Sequence, residues 1–292
     1  MEHKSGYVNI IGLPNVGKST LMNAMVGEKL SIITSKAQTT RHRILGIVNH
    51  PDYQIIFSDT PGILEPNYKL QETMLKAARS ALVDADVLIY ITEAAVTPDP
   101  EDVFIKRMMQ AKIPVLLLIN KIDLSNQELL EAAVETWNDV LPKAEKIPIS
   151  ALTKFNVDYV FKRILYHLPE SPPYYPKDAL TDKSERFLTG EMIREKILLQ
   201  YKQEIPYAVE VEIESFKEEE KLIRIYAVIF VEREGQKGIL IGNEGKALKR
   251  VGRESRLDME KFFQKKVFLE LKVKVQKDWR NNERLIKKFG YH

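Results

Sequence analysis

Cysteine does not occur in this chain of 292 residues. Its absence excludes disulfides, cysteine-ligated zinc or iron–sulfur centres and a cysteine nucleophile, and it fits a reducing compartment. Long hydrophobic runs are missing as well. The longest, residues 87–91 and 114–119, fall far short of the roughly 18–20 apolar residues that span a bilayer and suit buried strands instead. Residues 1–6 are polar, without a signal-type apolar stretch. No glycine follows Met1 and no cysteine offers a lipidation site. These absences predict a soluble, cytoplasmic protein. The histidines at 3, 42, 50, 167 and 292 show no metal-ligand spacing.

Charge of one sign is also scarce overall, with a net charge of only +3. Its distribution is uneven. Residues 1–180 carry 19 basic and 21 acidic side chains, 181–220 carry 6 and 11, and 221–292 carry 19 and 9. A last quarter at +10 is the electrostatic footprint of a polyanion binder, or a solvated basic surface. With 44% hydrophobic and 29% charged residues the chain has a globular balance, and its length predicts two domains.

Short apolar runs alternate with longer amphipathic ones across residues 7–168. Strands are expected at 7–12, 44–49, 53–59, 86–92, 114–120 and 146–149, and helices at 18–26, 70–82, 101–111, 127–140 and 157–168. This alternation predicts a doubly wound, mostly parallel α/β domain over residues 1–168, with ligands beyond the carboxyl ends of the strands. Residues 169–177 hold four prolines and predict a stiff linker, taken as 169–182. Beyond it, over 183–292, the expected order is helix 185–201, strands 207–216 and 222–232, helix 244–263 and strand 266–276: a smaller α+β domain.

Gly12-Leu-Pro-Asn-Val-Gly-Lys-Ser19 matches the phosphate-loop pattern G-x-x-x-x-G-K-[ST], placed after a strand and opening a helix. The loop's N–H groups and the helix N-terminus supply positive potential for phosphate oxygens. Lys18 neutralises the β- and γ-phosphates, and the Ser19 hydroxyl is a candidate Mg²⁺ ligand. Asp59-Thr-Pro-Gly62 follows another strand. Asp59 is the second metal anchor, and Gly62 can offer its N–H to a γ-phosphate. Asn120-Lys-Ile-Asp123 ends a third strand. The Asp123 carboxylate can accept both N–H groups of guanine's N1–N2 edge, whereas adenine would leave it unpaired. The Lys121 stem can cover the base, Asn120 can tie this loop to the phosphate loop, and the N–H groups of Ser150 and Ala151 can reach guanine O6.

These four segments resemble those of the translation-factor-related GTPase superfamily. Ser35-Lys-Ala-Gln-Thr-Thr-Arg41 is similar to the effector segment of its Era branch. The resemblance implies a P-loop NTPase fold, GTP and GDP as ligands, Mg²⁺ as cofactor and hydrolysis of GTP to GDP and phosphate. It implies nucleotide contacts from Gly12, Leu13, Pro14, Asn15, Val16, Gly17, Lys18, Ser19, Thr20, Asp59, Thr60, Pro61, Gly62, Asn120, Lys121, Asp123, Ser150 and Ala151. Either Thr39 or Thr40 would close on Mg²⁺ and γ-phosphate, so the catalytic set is Lys18, Thr39, Thr40, Asp59 and Gly62. Ile63 stands where better-known relatives carry a water-orienting glutamine, which implies slow intrinsic hydrolysis. Asn15 occupies the position at which potassium-stimulated relatives hold a K⁺ ion, or it simply tolerates the turn. Arg41 and Arg43 can touch nucleotide or partner. Asp84 and Asp86 are read as caps of a helix end.

Ile239-Leu-Ile-Gly-Asn-Glu-Gly-Lys-Ala-Leu-Lys-Arg250 joins a short apolar segment to a basic helix through G-x-x-G. The motif and the element order around it resemble a type II KH domain, whose loop clamps single-stranded RNA. The implied contacts are Ile239, Ile241, Gly242, Asn243, Glu244, Gly245, Lys246, Lys249 and Arg250. Glu244 departs from the basic residue common at that position. Together the two halves resemble the Era family, which implies binding near the 3′ end of small-subunit ribosomal RNA and a role in 30S maturation; a monomer is expected, and a GTPase at the inner membrane surface, using the basic tail on anionic lipid, is a lesser alternative. A second alternative is an RNA-binding module in which nucleotide serves mainly stability.

Overall fold

The computed structural model describes residues 3–291, and the chain forms two compact units. The first runs to Ser31 and takes in Thr40–Glu65 and Met74–Asp182; the second comprises Ile32–Thr39, Pro66–Thr73 and the chain from Lys183 onward.

The first unit contains β1 (Lys4–Gly12), α1 (Lys18–Val26), β2 (Ile44–His50), β3 (Tyr53–Asp59), most of α2 (Lys69–Ser80), β4 (Val87–Glu93), α3 (Val103–Met109), β5 (Val115–Asn120), α4 (Gln127–Val140), β6 (Glu145–Pro148) and α5 (Val157–His167). Its strand order is β2-β3-β1-β4-β5-β6. The β2–β3 hairpin is antiparallel and every other pairing is parallel. Strands β4 and β5 are apolar nearly throughout because both faces are covered. Ala78 and Ala81 join Phe104 and Met108 of α3, Trp137 of α4 and Leu117 of β5 in one core. The order reverses between β1 and β4, which places a ligand crevice at their carboxyl ends. Helix α3 starts at Val103, later than the periodicity predicts, because the Asp102 carboxylate caps the N–H groups of Phe104 and Ile105 at 2.7 and 3.1 Å.

Residues 169–182 are not a free-standing linker. Gln54 accepts the N–H groups of Tyr174 and Tyr175 at 2.8 and 2.9 Å, Gly46 bridges Thr181, and Ile47 donates to the Leu180 carbonyl at 2.8 Å. The segment thereby covers the open edge of β2, whose backbone groups would otherwise be unpaired. Asp84 and Asp86 cap no helix end. Asp86 accepts the Tyr7 N–H at 2.7 Å, and Asp84 accepts from Asn9 and Arg43. Arg43 also donates to Ser58 at 2.6 Å, so it braces the sheet.

The second unit contains α6 (Glu185–Gln200), α7 (Ile205–Ala208), β7 (Glu210–Glu218), β8 (Leu222–Val231), α8 (Glu234–Ile241), α9 (Lys246–Phe263), β9 (Lys266–Val275) and α10 (Glu283–Lys288). Its sheet has the order β7-β8-β9, with β7–β8 antiparallel and β8–β9 parallel. Ile193 and Ile197 of α6 and Val251 and Met259 of α9 pack on Ile223, Ile225 and Ile229. Three helices go beyond the predicted order. Pro206 opens α7, where its missing N–H costs nothing, and displaces the start of the strand to Glu210. Gly235 and Gly238 hide the period of α8, so the short apolar segment with Ile239 and Ile241 is its last turn. Asn282 caps α10 through Arg284 and Leu285 at 3.1 and 3.2 Å.

Candidate functional site

The loop from β1 to α1 needs glycine at two places. Gly12 has φ +151° and a Cβ there would lie 2.3 Å from the Ile91 carbonyl oxygen; Gly17 has φ +104° and a Cβ would lie 2.2 Å from the Asn120 side-chain nitrogen. Asn15 also occupies the left-handed region, with φ 65°, a conformation asparagine tolerates better than most residues. Lys18 is buried and donates through Nζ to the carbonyls of Gly12 and Leu13 at 3.0 and 2.7 Å. Burial pushes its pKa down to about 8, against the pull of the Asp59 carboxylate.

Three oxygen-bearing side chains converge beside it. Ser19 Oγ donates to Asp59 Oδ2 at 2.7 Å, and the Thr40 hydroxyl lies 2.9 Å from Ser19 Oγ and donates to the same carboxylate oxygen at 3.2 Å. The second oxygen, Oδ1, is buried with no hydrogen-bond partner among the described residues, and burial drives the Asp59 pKa upward against the Ser19 bond and the Lys18 charge. A buried carboxylate with an unused oxygen, flanked by two hydroxyls, is the donor set of a hard divalent cation. Thr40 therefore belongs to this cluster and Thr39 does not. The Thr39 hydroxyl is turned into its own loop, 2.6 Å from both Thr34 Oγ1 and the Lys36 carbonyl.

Gly62 lies against the phosphate loop, where a Cβ would be 2.8 Å from Pro14 Cα. The next residue closes the contact, with Ile63 N–H donating to the Gly12 carbonyl at 3.1 Å. The Ile63 side chain packs on the hydrophobic core. Thr60 donates to the Ile10 carbonyl at 2.8 Å and fixes the turn after β3.

Asn120 joins three loops. Its side chain donates to the Val16 carbonyl at 2.7 Å and accepts the Ala151 N–H at 2.9 Å. Lys121 has φ 62° and pairs with Glu93 at 2.6 Å. A single 3₁₀ turn, Ile122–Leu124, follows and presents Asp123 to solvent. Ser150 is buried, and its Oγ accepts the Thr153 N–H at 3.2 Å. The four predicted motifs thus meet on one rim of one sheet. Arg41 is almost fully buried.

The G-x-x-G loop lies between α8 and α9. Gly242 and Gly245 have φ +69° and +73°. Glu244 also has a positive φ, 53°, which delays α9 until Lys246. Glu244 pairs with Lys246 at 2.8 Å while both stay about 70% exposed, so the glutamate offsets one lysine of the loop in high dielectric. Arg250 pairs with Glu254 at 3.1 Å. Lys249 is exposed, Ile239 is exposed and Ile241 half-buried, so the apolar edge of α8 is open beside the loop.

The buried charge of Lys18 has a measurable consequence. Phosphate favours the ammonium form, so nucleotide binding raises its pKa. Nucleotide affinity is expected to hold below pH 8 and to fall, by up to about tenfold per pH unit, above it, with proton uptake on binding. Calorimetric titration with GDP from pH 7 to 9, in buffers of different ionisation enthalpy, reads both quantities.

A family model described as "50S ribosome-binding GTPase" matches residues 7–121, and one described as "KH domain" matches residues 204–280. The chain is 48% identical to the GTPase Era of Syntrophus aciditrophicus over 292 residues, covering 99% of this chain and 95% of that protein. A crystal structure of Era in complex with MgGDPNP and nucleotides 1506–1542 of 16S ribosomal RNA is similar with a TM-score of 0.94 and 39% identity, covering 99% of each chain. An Aquifex aeolicus Era variant bound to GDP·AlF4⁻ is similar at TM-score 0.92 and 39% identity, again over 99% of each chain.

Proposed function

This chain belongs to the Era family of GTPases, and from that premise we propose that it joins GTP hydrolysis to the binding of single-stranded RNA near the 3′ end of small-subunit ribosomal RNA during 30S maturation. The observation that carries the reading is the convergence of Ser19, Thr40 and Asp59 in a chain that also holds an open G-x-x-G loop.

Ser19, Thr40 and Asp59 are the residues that would hold Mg²⁺, which when bound neutralises charge on the β- and γ-phosphates. Lys18 exchanges its two loop carbonyls for phosphate oxygens. The N–H groups of the loop and the first turn of α1 receive the rest of that charge. Asp123 selects guanine, and Asn120 holds the base loop and the phosphate loop in fixed relation. Gly62 lets the backbone come close to the γ-phosphate. Ile63 has no proton to give or take and its side chain packs on the core, so no side chain at that position orients the attacking water. Slow intrinsic hydrolysis follows. We extend the reading to a monovalent cation, K⁺, at Asn15, to be judged by exchanging KCl for NaCl in the same assay.

The test is binding of a labelled single-stranded RNA from the 3′ end of small-subunit rRNA at fixed salt and Mg²⁺. It is run with GDP, with a non-hydrolysable GTP analogue and without nucleotide. Tighter binding with the analogue than with GDP supports a GTP-gated switch. Equal binding in all three states favours the RNA module in which nucleotide serves only stability. The reading takes the protein as a cytoplasmic monomer, for which light scattering should return one chain mass of 33.7 kDa. Co-sedimentation with anionic liposomes would instead favour the membrane surface.

A further inference from the structure

Within the first unit, the backbone around Lys121 is held from both sides. Its neighbour Asn120 is fixed by the Val16 carbonyl and the Ala151 N–H, and the Ile122 N–H is fixed on the Ile149 carbonyl. The Lys121 carbonyl also accepts the Leu124 N–H at 2.9 Å, which closes the turn. With φ pinned at 62°, the freedom left in the residue is that of its side chain, a flexible four-carbon stem with a large rotamer entropy. Glu93 removes that freedom. It is the last residue of β4 and lies opposite Asn120 in the parallel β4–β5 register. Its carboxylate is therefore one position from Lys121 across the ladder, and it takes the Lys121 ammonium at 2.6 Å. The Val96 N–H donates to the Glu93 carbonyl at 3.0 Å, so the glutamate also stands on a closed turn. Both side chains are about one-third exposed, which shields the pair from part of the screening that weakens ion pairs at an open surface.

A lysine fixed at both ends presents its methylene stem as an apolar wall. In the base site that stem covers the guanine face while Asp123 reads the edge. We infer that Glu93 is a positioning residue for the guanine base: by holding the Lys121 ammonium it fixes the stem in place before nucleotide arrives, so that binding does not have to order it. The inference rests on reading Lys121 and Asp123 as the base site. Glu93 lies outside the four motifs, and only the β4–β5 register brings it to Lys121.

The test uses the full chain with Glu93→Gln, Glu93→Asp, Lys121→Met and the double variant Glu93→Gln/Lys121→Met. The readouts are affinity for GDP and for a non-hydrolysable GTP analogue, the rate of GDP release, and steady-state GTP hydrolysis. Glu93→Gln keeps the shape of the side chain and removes its charge. It is expected to weaken GDP and the analogue alike, by about three- to tenfold, through faster release. The loss should appear in KM and not in kcat, because the base is held equally in the ground state and the transition state. Glu93→Asp should recover part of it, since the charge stays on a side chain one methylene shorter. In the Lys121→Met background, Glu93→Gln should change affinity by no more than about twofold. Unchanged or tighter GDP binding in Glu93→Gln, a loss confined to the analogue, or an equal loss with and without Lys121 would overturn the inference. Asp123→Asn, run alongside, separates the two levels. If it leaves GTP affinity unchanged, the base-site reading itself fails; a loss there with wild-type binding in Glu93→Gln overturns the positioning role alone.

Discussion

Asp123→Asn is expected to lower GTP affinity by roughly 10³-fold or more, and to restore tight binding when xanthosine triphosphate replaces GTP. Guanine presents two donors on its N1–N2 edge, and the carboxylate offers two acceptors. An asparagine amide offers one acceptor and one donor, so its NH₂ group opposes the guanine amino group. Xanthine keeps the N1 donor but has a carbonyl at C2, and the amide then pairs at both atoms. The swap leaves the frame of the site alone. Asp123 stands on a short 3₁₀ turn anchored by the Ile122 N–H on the Ile149 carbonyl at 3.3 Å, next to the Lys121–Glu93 pair. None of these contacts uses the Asp123 side chain. Competition binding against a labelled guanine nucleotide is the measurement. Unchanged GTP affinity would mean that the base does not sit at Asp123.

Gly242→Asp is expected to abolish RNA binding, with an effect on the order of 10²-fold or larger. Two physical effects act together. The residue has φ +69° and a Cβ there would lie 2.6 Å from the Ala247 Cβ, so the loop must shift away from the N-terminus of α9. A carboxylate also enters the place where a phosphate must approach, turning attraction into repulsion. Gly245 is the control. It has φ +73° but nothing within 4 Å of a Cβ, so Gly245→Ala carries only the backbone cost of about 1 kcal/mol. It should weaken binding far less. Fluorescence anisotropy with the 3′-end RNA measures both variants, and circular dichroism confirms that each folds. Equal, wild-type affinity in both would remove the loop from the RNA site.

Much of this could be seen in the residues themselves. The G-x-x-x-x-G-K-S, D-T-P-G and N-K-I-D stretches are local, and each needs only its own strand end to be placed. The strands β4 and β5 announced a covered parallel sheet because burial on both faces removes polar residues from such a strand. Where the period was obscured, the reading failed. Two glycines concealed α8, Pro206 began a helix where a strand was expected, and the prolines of 169–182 looked like a spacer although the segment pairs with an edge strand.

Chain order alone determined the chemistry of the phosphate, metal and base motifs, because those depend on residue types at short fixed spacing. Only the tertiary structure decided between Thr39 and Thr40, which are adjacent and chemically identical. The choice turns on which hydroxyl points at Ser19 and Asp59, residues separated from it by 21 and 19 positions. It also decided the contacts of Asp84, Asp86 and Arg43, whose partners are distant in sequence. Spacing along the chain carries local geometry; contacts between distant residues exist only once the core has closed.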